Sequence, residues 1–174
     1  VGRSVPGYSF VGDSSDTSAN THHGTMVSGL IVGHYNKAIG TMGIAPFVKV
    51  MPMRITSSRG STDLKTIVNC IKMSADRGAK VINVSFTGVN NQSIEEAGAY
   101  AANLGSLVVY SAGNQGKNRR KYPDHKNVFI VGGTQESGKR WNCNKRIWRF
   151  TFKKSGSNYG NFVDAVAPAR NVLT

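Results

Sequence analysis

Apolar and polar positions along this chain change period several times, and each change marks an element. In STDLKTIVNCIKMSADRG, residues 61–78, Leu64, Ile67, Val68, Ile71 and Ala75 recur at steps of three and four, which predicts a helix with one apolar face. Ser61 or Thr62 suits its N-cap, Asp63 the positive end of its dipole and Gly78 its stop. NQSIEEAGAYAANLG, residues 91–105, predicts a second helix, with Ser93 and Glu96 at capping-box spacing and Gly105 at its end. Mostly apolar runs at 47–55, 80–86, 106–112 and 127–133 predict strands, the first bounded by Pro46 and a Ser/Gly loop. Strands alternating with helices pair in parallel through right-handed crossovers, so the expected class is α/β. The expected architecture has three layers: a mainly parallel central sheet with helices on both faces. In such sheets the functional crevice lies beyond the carboxyl ends of the strands. The loops that follow Ile55, Phe86 and Tyr110 are therefore the places to look.

Composition narrows the picture. A chain of 174 residues with 20 glycines suits one domain over residues 1–174 that is rich in tight turns. No apolar run reaches the roughly 18 residues of a membrane span. The chain starts at Val1 and carries no signal-peptide pattern, so a processed product or an excised piece is expected. Cys70 and Cys143 are too few for a disulfide framework and match no metal spacing; Cys70 falls on a predicted helix, as a small core hydrophobe would. The formal charge of +13 speaks of association with anions rather than of fold.

Two loops carry chemistry. In VVYSAGNQG an apolar strand ends in small residues and presents Asn114 beside Gly113. A carboxamide donates without carrying charge, so a rigidly held Asn114 suits an oxyanion; by itself Gly-Asn-Gln-Gly reads first as a plain turn. In THHGTMVSGLIVG, residues 21–33, a run of small and aliphatic residues predicts a buried helix with His23 at its outward-facing start. Taken alone, that histidine has a structural reading as well as a catalytic one, and His22 reads as a supporting, solvent-side residue.

Together, HHGTMVSG, VINVSFTG, VVYSAGNQG and GSNYGNFVDAVAPARNVLT resemble the subtilisin-like serine proteases in order and rough spacing, from about Asn20 to Thr174. The resemblance implies peptide-bond hydrolysis by a Ser-His-Asp triad on a peptide or protein substrate. His23 matches the triad base and Asn114 the oxyanion donor. Ser85, Phe86, Thr87 and Gly88 match the edge that pairs with the substrate backbone as an added strand. Ser111, Ala112 and Gly113 match a wall of the pocket for the side chain before the scissile bond. Phe86 and Thr87 depart from the family's Leu-Gly, and this is expected to narrow the cleft. Relatives often bind calcium, but no acidic loop here has ligand spacing and no cofactor is identifiable. Secretion is a further family expectation.

The family pattern is incomplete. Its Asp-Ser/Thr-Gly turn lies upstream of the histidine, and Asp13 and Asp16 sit instead in a polar loop close before His23. Its Gly-Thr-Ser-Met-Ala segment does not follow VAPARNVLT, and Ser155 and Ser157 belong to the loop before that motif. The expectation is a partial catalytic domain, lacking the N- and C-terminal parts that carry the triad Asp and Ser and inactive by itself.

Residues 139–156 form a basic, aromatic insert read as a hairpin with one apolar face in IWRFTF. GKNRRK, residues 116–121, adds a second basic cluster. Cations interleaved with aromatics also suit a polyanion. This leaves an alternative function, a non-catalytic binding module derived from the protease family that recognises a polyanion.

Overall fold

A computed structural model describes residues 4–18, 21–34, 42–147, 151–170 and 172, with the side chains of 143–147 and 151–154 left out. The described chain forms two compact units, one over Val1–Ala79 and the other over Lys80–Val172.

In the first unit, β1 (Tyr8–Ser9) pairs in parallel with β2 (Met53–Arg54). The strand expected over 47–55 is thus much shorter. Pro52 has no N–H to give a ladder, so it contributes only its carbonyl, which accepts from the Tyr8 N–H at 3.1 Å; Phe47 is 93% exposed. Gly7 is what lets the strands meet: a Cβ there would stand 1.9 Å from the Pro52 carbonyl oxygen. The helix expected after the two histidines is α1 (His22–Val32), which begins at Thr21 and closes on Gly33, whose N–H donates to the Gly29 carbonyl. The expected burial of α1 is not found, for none of its residues is buried. Its first two turns hold Gly24, Thr25, Ser28 and Gly29, which offer little apolar area, and Leu30 and Ile31 are only half-buried.

The next helix, α2 (Leu64–Asp76), buries Ile67, Ile71 and Ala75 at four-residue steps. Its N-cap is Asp63 rather than Ser61 or Thr62, and the Asp63 carboxylate accepts from the Thr66 N–H at 2.6 Å. Those hydrogen bonds, working against a small desolvation effect, hold the Asp63 carboxyl below its ordinary range. Gly78 follows the helix with φ +81°.

The second unit is built on a four-stranded sheet. Its strands are β3 (Val81–Val84), β4 (Leu107–Ser111), β5 (Val128–Thr134) and β8 (Ala165–Pro168), in that spatial order and all parallel. Alternate residues Ile82, Val84, Val108, Tyr110, Val128 and Ile130 are buried. Packed on β4 and β5 is α3 (Gln92–Asn103), whose Ile94, Ala97 and Ala101 are fully buried. Asn91, not Ser93, caps α3, its side chain accepting from the Ser93 N–H at 3.0 Å. Gly98 sets the approach of helix to sheet: a Cβ there would meet the Asn127 carbonyl oxygen and the Val128 Cγ2, each at 2.6 Å. Between β5 and β8, β6 (Asn142–Ile147) pairs antiparallel with β7 (Thr151–Gly156). The apolar face expected of IWRFTF lies outside the described residues.

Candidate functional site

Two parallel neighbours, β3 and β4, end side by side, with Val84 in register with Tyr110. The chain leaving β3 carries Ser85, Phe86, Thr87 and Gly88, and the end of β4 holds it. The Ser111 hydroxyl donates to the Phe86 carbonyl and the Tyr110 hydroxyl to the Thr87 carbonyl, both at 2.8 Å. Burial pushes the Tyr110 phenol well above its usual range, so it stays a protonated donor at any physiological pH. Among the described strands β3 is an edge, as a segment that accepts an added strand must be.

Past β4 the chain turns at Gly113, which has φ +88°. A side chain there is doubly excluded, because a Cβ would also stand 2.8 Å from the Asn158 Nδ2. Asn158 is buried and ties down the turn from three directions. Its Nδ2 donates to the Ala112 carbonyl at 2.9 Å, its N–H to the Gly113 carbonyl at 2.8 Å, and its Oδ1 accepts from the Lys117 N–H at 3.1 Å. The Asn114 carbonyl accepts from the Gly156 N–H at 3.1 Å and from the Ser155 hydroxyl at 3.2 Å. Backbone pinned on both sides leaves the Asn114 side chain exposed at the surface of a rigid loop.

Thr87, Gly88, Ser111, Ala112 and Gly113 are brought together around one cavity of about 260 Å³. Val89, Asn90, Gln115, Tyr122 and Asn158 complete it, and sequence reasoning named none of them as site residues. For Asn158 a signal existed in GSNYG, where an asparagine sits midway between two glycines on the approach to an apolar run. Tyr122 carried none, since its position depends on packing against the buried Phe162, ring centroids 5.1 Å apart. Phe86, half-buried, and Ser85, exposed, border this region without lining the cavity.

In the other unit, His23 stands in the first turn of α1 and is exposed, as is His22. Asp13 has φ +47° and accepts from the Tyr8 hydroxyl. The Asp16 carboxylate accepts from the Ser18 N–H at 2.9 Å, and its hydrogen bonds with Ser18 hold it below its ordinary range. Ser157 is buried, accepting from the Gly133 N–H at 2.8 Å and donating to the Asn158 carbonyl at 3.0 Å. Both serines of the 155–157 segment are thus engaged in bracing loops. Among the described residues, no group of three or more His, Cys, Asp or Glu side chains is placed to hold a metal ion.

A model of the subtilase family, Peptidase_S8, matches residues 2–173. The thermophilic serine proteinase of Bacillus sp. (strain AK1) is 34% identical over 175 residues, 99% of this chain and 40% of that protein. Thermitase of Thermoactinomyces vulgaris is 34% identical over 170 residues, 97% of this chain and 56% of that one. The chain therefore spans about half the length of the curated relatives it matches. Among solved structures, that of a cold adapted subtilisin-like serine proteinase superposes on 96% of the chain with a TM-score of 0.69 at 25% identity, using 56% of its own length. A lanthipeptide protease superposes on 95% with a TM-score of 0.73 at 24% identity, using 49% of its own length. The chain has the α/β fold of subtilisin-like proteases.

Proposed function

The chain belongs to the subtilase family, and on that premise we propose that it forms part of the catalytic domain of a serine endopeptidase. In this reading His23 is the general base: it takes the proton from the attacking serine and returns it to the leaving amine. Asn114 donates through its carboxamide to the oxyanion of the tetrahedral intermediate. Residues 85–88 bind the peptide backbone as an added strand, and Ser111, Ala112 and Gly113 wall the pocket for the side chain before the scissile bond.

One observation carries the proposal. Thr87 and Gly88 from one strand end and Ser111 to Gly113 from its neighbour line a single cleft, with Asn114 the next residue on the pinned turn. That is the arrangement an acyl-transfer site of this family needs, because a donor is effective only if it is already in place when charge develops.

The nucleophile is assigned to the part of the relatives' length that this chain does not span. None of its serines has the Gly-Thr-Ser context, and Ser155 and Ser157 brace loops. A protein of residues 1–174 alone is therefore inactive in this account. We infer that the parent protease acts outside the cell; what supports this is the resemblance to the cell wall-associated protease of Bacillus subtilis, 33% identical over 167 residues, 95% of this chain and 17% of that protein. A second reading, favoured by the +13 charge, is a non-catalytic module that binds a polyanion.

The test is fluorophosphonate labelling of the full-length protein together with cleavage of an internally quenched peptide. A protein that takes the label and cleaves the peptide, and that stops cleaving once labelled, supports the protease. An intact protein that does neither, yet binds heparin with an affinity that falls steeply with salt, supports the second reading instead.

A further inference from the structure

Beside the cleft lies a second cavity, of about 570 Å³, lined by Asn118, Arg119, Arg120, Lys121, Tyr122 and Tyr159. Tyr122 lines both cavities, so they share a wall. Three consecutive cations face this space, and no acidic residue is among those lining it. The Arg119 guanidinium stacks over the Tyr122 ring, 5.2 Å from its centroid, and the Arg140 guanidinium over the Tyr159 ring at 4.6 Å. Both rings of the cavity therefore carry a cation on one face.

Arg119 is the link to the cleft. Its Nη2 stands 3.5 Å from Oε1 of Gln115, a residue that lines the cleft. The mutual repulsion of three clustered cations is costly. A carboxylate offsets that cost, because it accepts from a guanidinium through two oxygens and neutralises part of the cluster.

We propose that this cavity is a substrate subsite for an acidic side chain, so that the protease prefers peptides with Asp or Glu next to the residue held in the cleft. The inference rests on the protease reading of the cleft and adds the substrate class to it. Lys121 and Arg120 supply the field that draws the carboxylate in, and Arg119 supplies the directed donors. Arg120 and Lys121 are exposed, so the preference weakens as salt screens them.

The experiment compares kcat/KM of the full-length protein for quenched peptides that are identical except for Glu, Gln or Lys at each position flanking the cut. At one position, at low salt, the Glu peptide is expected to lead the Gln peptide about tenfold, a step worth about 1.4 kcal/mol. The lead should shrink several-fold at molar salt. Lys121→Glu should move the preference toward the Lys peptide, a reversal that damaged folding would not produce. The wild-type comparison and its salt dependence stand even if that variant fails to fold. Equal cleavage of the Glu and Gln peptides at every position overturns this inference and leaves the protease reading intact. Cleavage of none of them overturns the protease reading, and the inference with it.

Discussion

The Asn158 carboxamide donates through Nδ2 to the Ala112 carbonyl oxygen at 2.9 Å, joining residues 46 positions apart. The bond holds the turn that presents Asn114 against the segment that leads into the last strand. Its donor is buried, so neither partner has water to turn to when the other is removed.

Replacing Asn158 by Ala should therefore cost about 1–3 kcal/mol of stability. It should lower kcat and raise KM together, because the displaced turn carries both the Asn114 donor and the Ala112 and Gly113 wall of the pocket. Chemical denaturation and steady-state kinetics of the full-length protein check both. Asn158→Asp, which keeps an acceptor for the Lys117 N–H but loses the donor to Ala112, should behave nearly as badly as Asn158→Ala.

Asn114→Ala should leave the fold unchanged, because the side chain is exposed and makes no hydrogen bond to another described residue. The expected loss in kcat is on the order of 10²–10³, the size known for subtilisin itself rather than one deduced from this geometry. A rise in KM with unchanged kcat would make Asn114 a ground-state contact instead.

Gly98→Ala should destabilise without touching the site. The added methyl would meet the Asn127 carbonyl oxygen and the Val128 Cγ2, each at 2.6 Å, so α3 must move off the sheet. Overpacking of this kind costs typically 1–3 kcal/mol, and thermal unfolding of the full-length protein reads it directly.

Glu95 makes acid stability a further test. Burial works against its charge, but hydrogen bonds from the Asn127 side chain and from the backbone at 127 and 126, with the charge of His125, hold its carboxyl below the ordinary 4.5. The Asn127 Nδ2 donates at 2.7 Å, and His125 Nδ1 stands 3.2 Å away. A depressed carboxyl contributes stability above its unfolded value and loses it as pH falls through its folded value. The stability advantage of the wild type over Glu95→Gln should thus be present above the ordinary carboxylate range and be lost as pH falls below it. Denaturation midpoints across that range measure it.

Much of the fold could be read from the chain because apolar periodicity alone determined it. Ile67, Ile71 and Ala75 mark α2, and β3, β4 and β5 follow runs of alternating burial, whereas β8, half-buried or exposed along its length, was not among the expected strands. Caps were read less well, because Asp63 and Asn91 each compete with a neighbouring Ser or Thr and only the backbone geometry decides. Over 47–55 the apolar run concealed Pro52, which limits pairing to a two-residue strand. Around the cleft, Thr87, Gly88, Ser111, Ala112 and Gly113 had motif support and line the cavity, Ser85 and Phe86 had it and do not, and the residues that complete the lining were not named. Tyr122 reaches the cavity through its ring contact with Phe162, a contact between residues 40 positions apart (162 − 122) that no local pattern encodes.

The most direct test of the account is kcat/KM of the full-length protein and of its His23→Ala variant for one internally quenched peptide. The account predicts a loss on the order of 10⁶, the magnitude known for the same histidine role in subtilisin, with the variant's fold intact by circular dichroism. A His23→Ala protein that cleaves the peptide at the wild-type rate would contradict it.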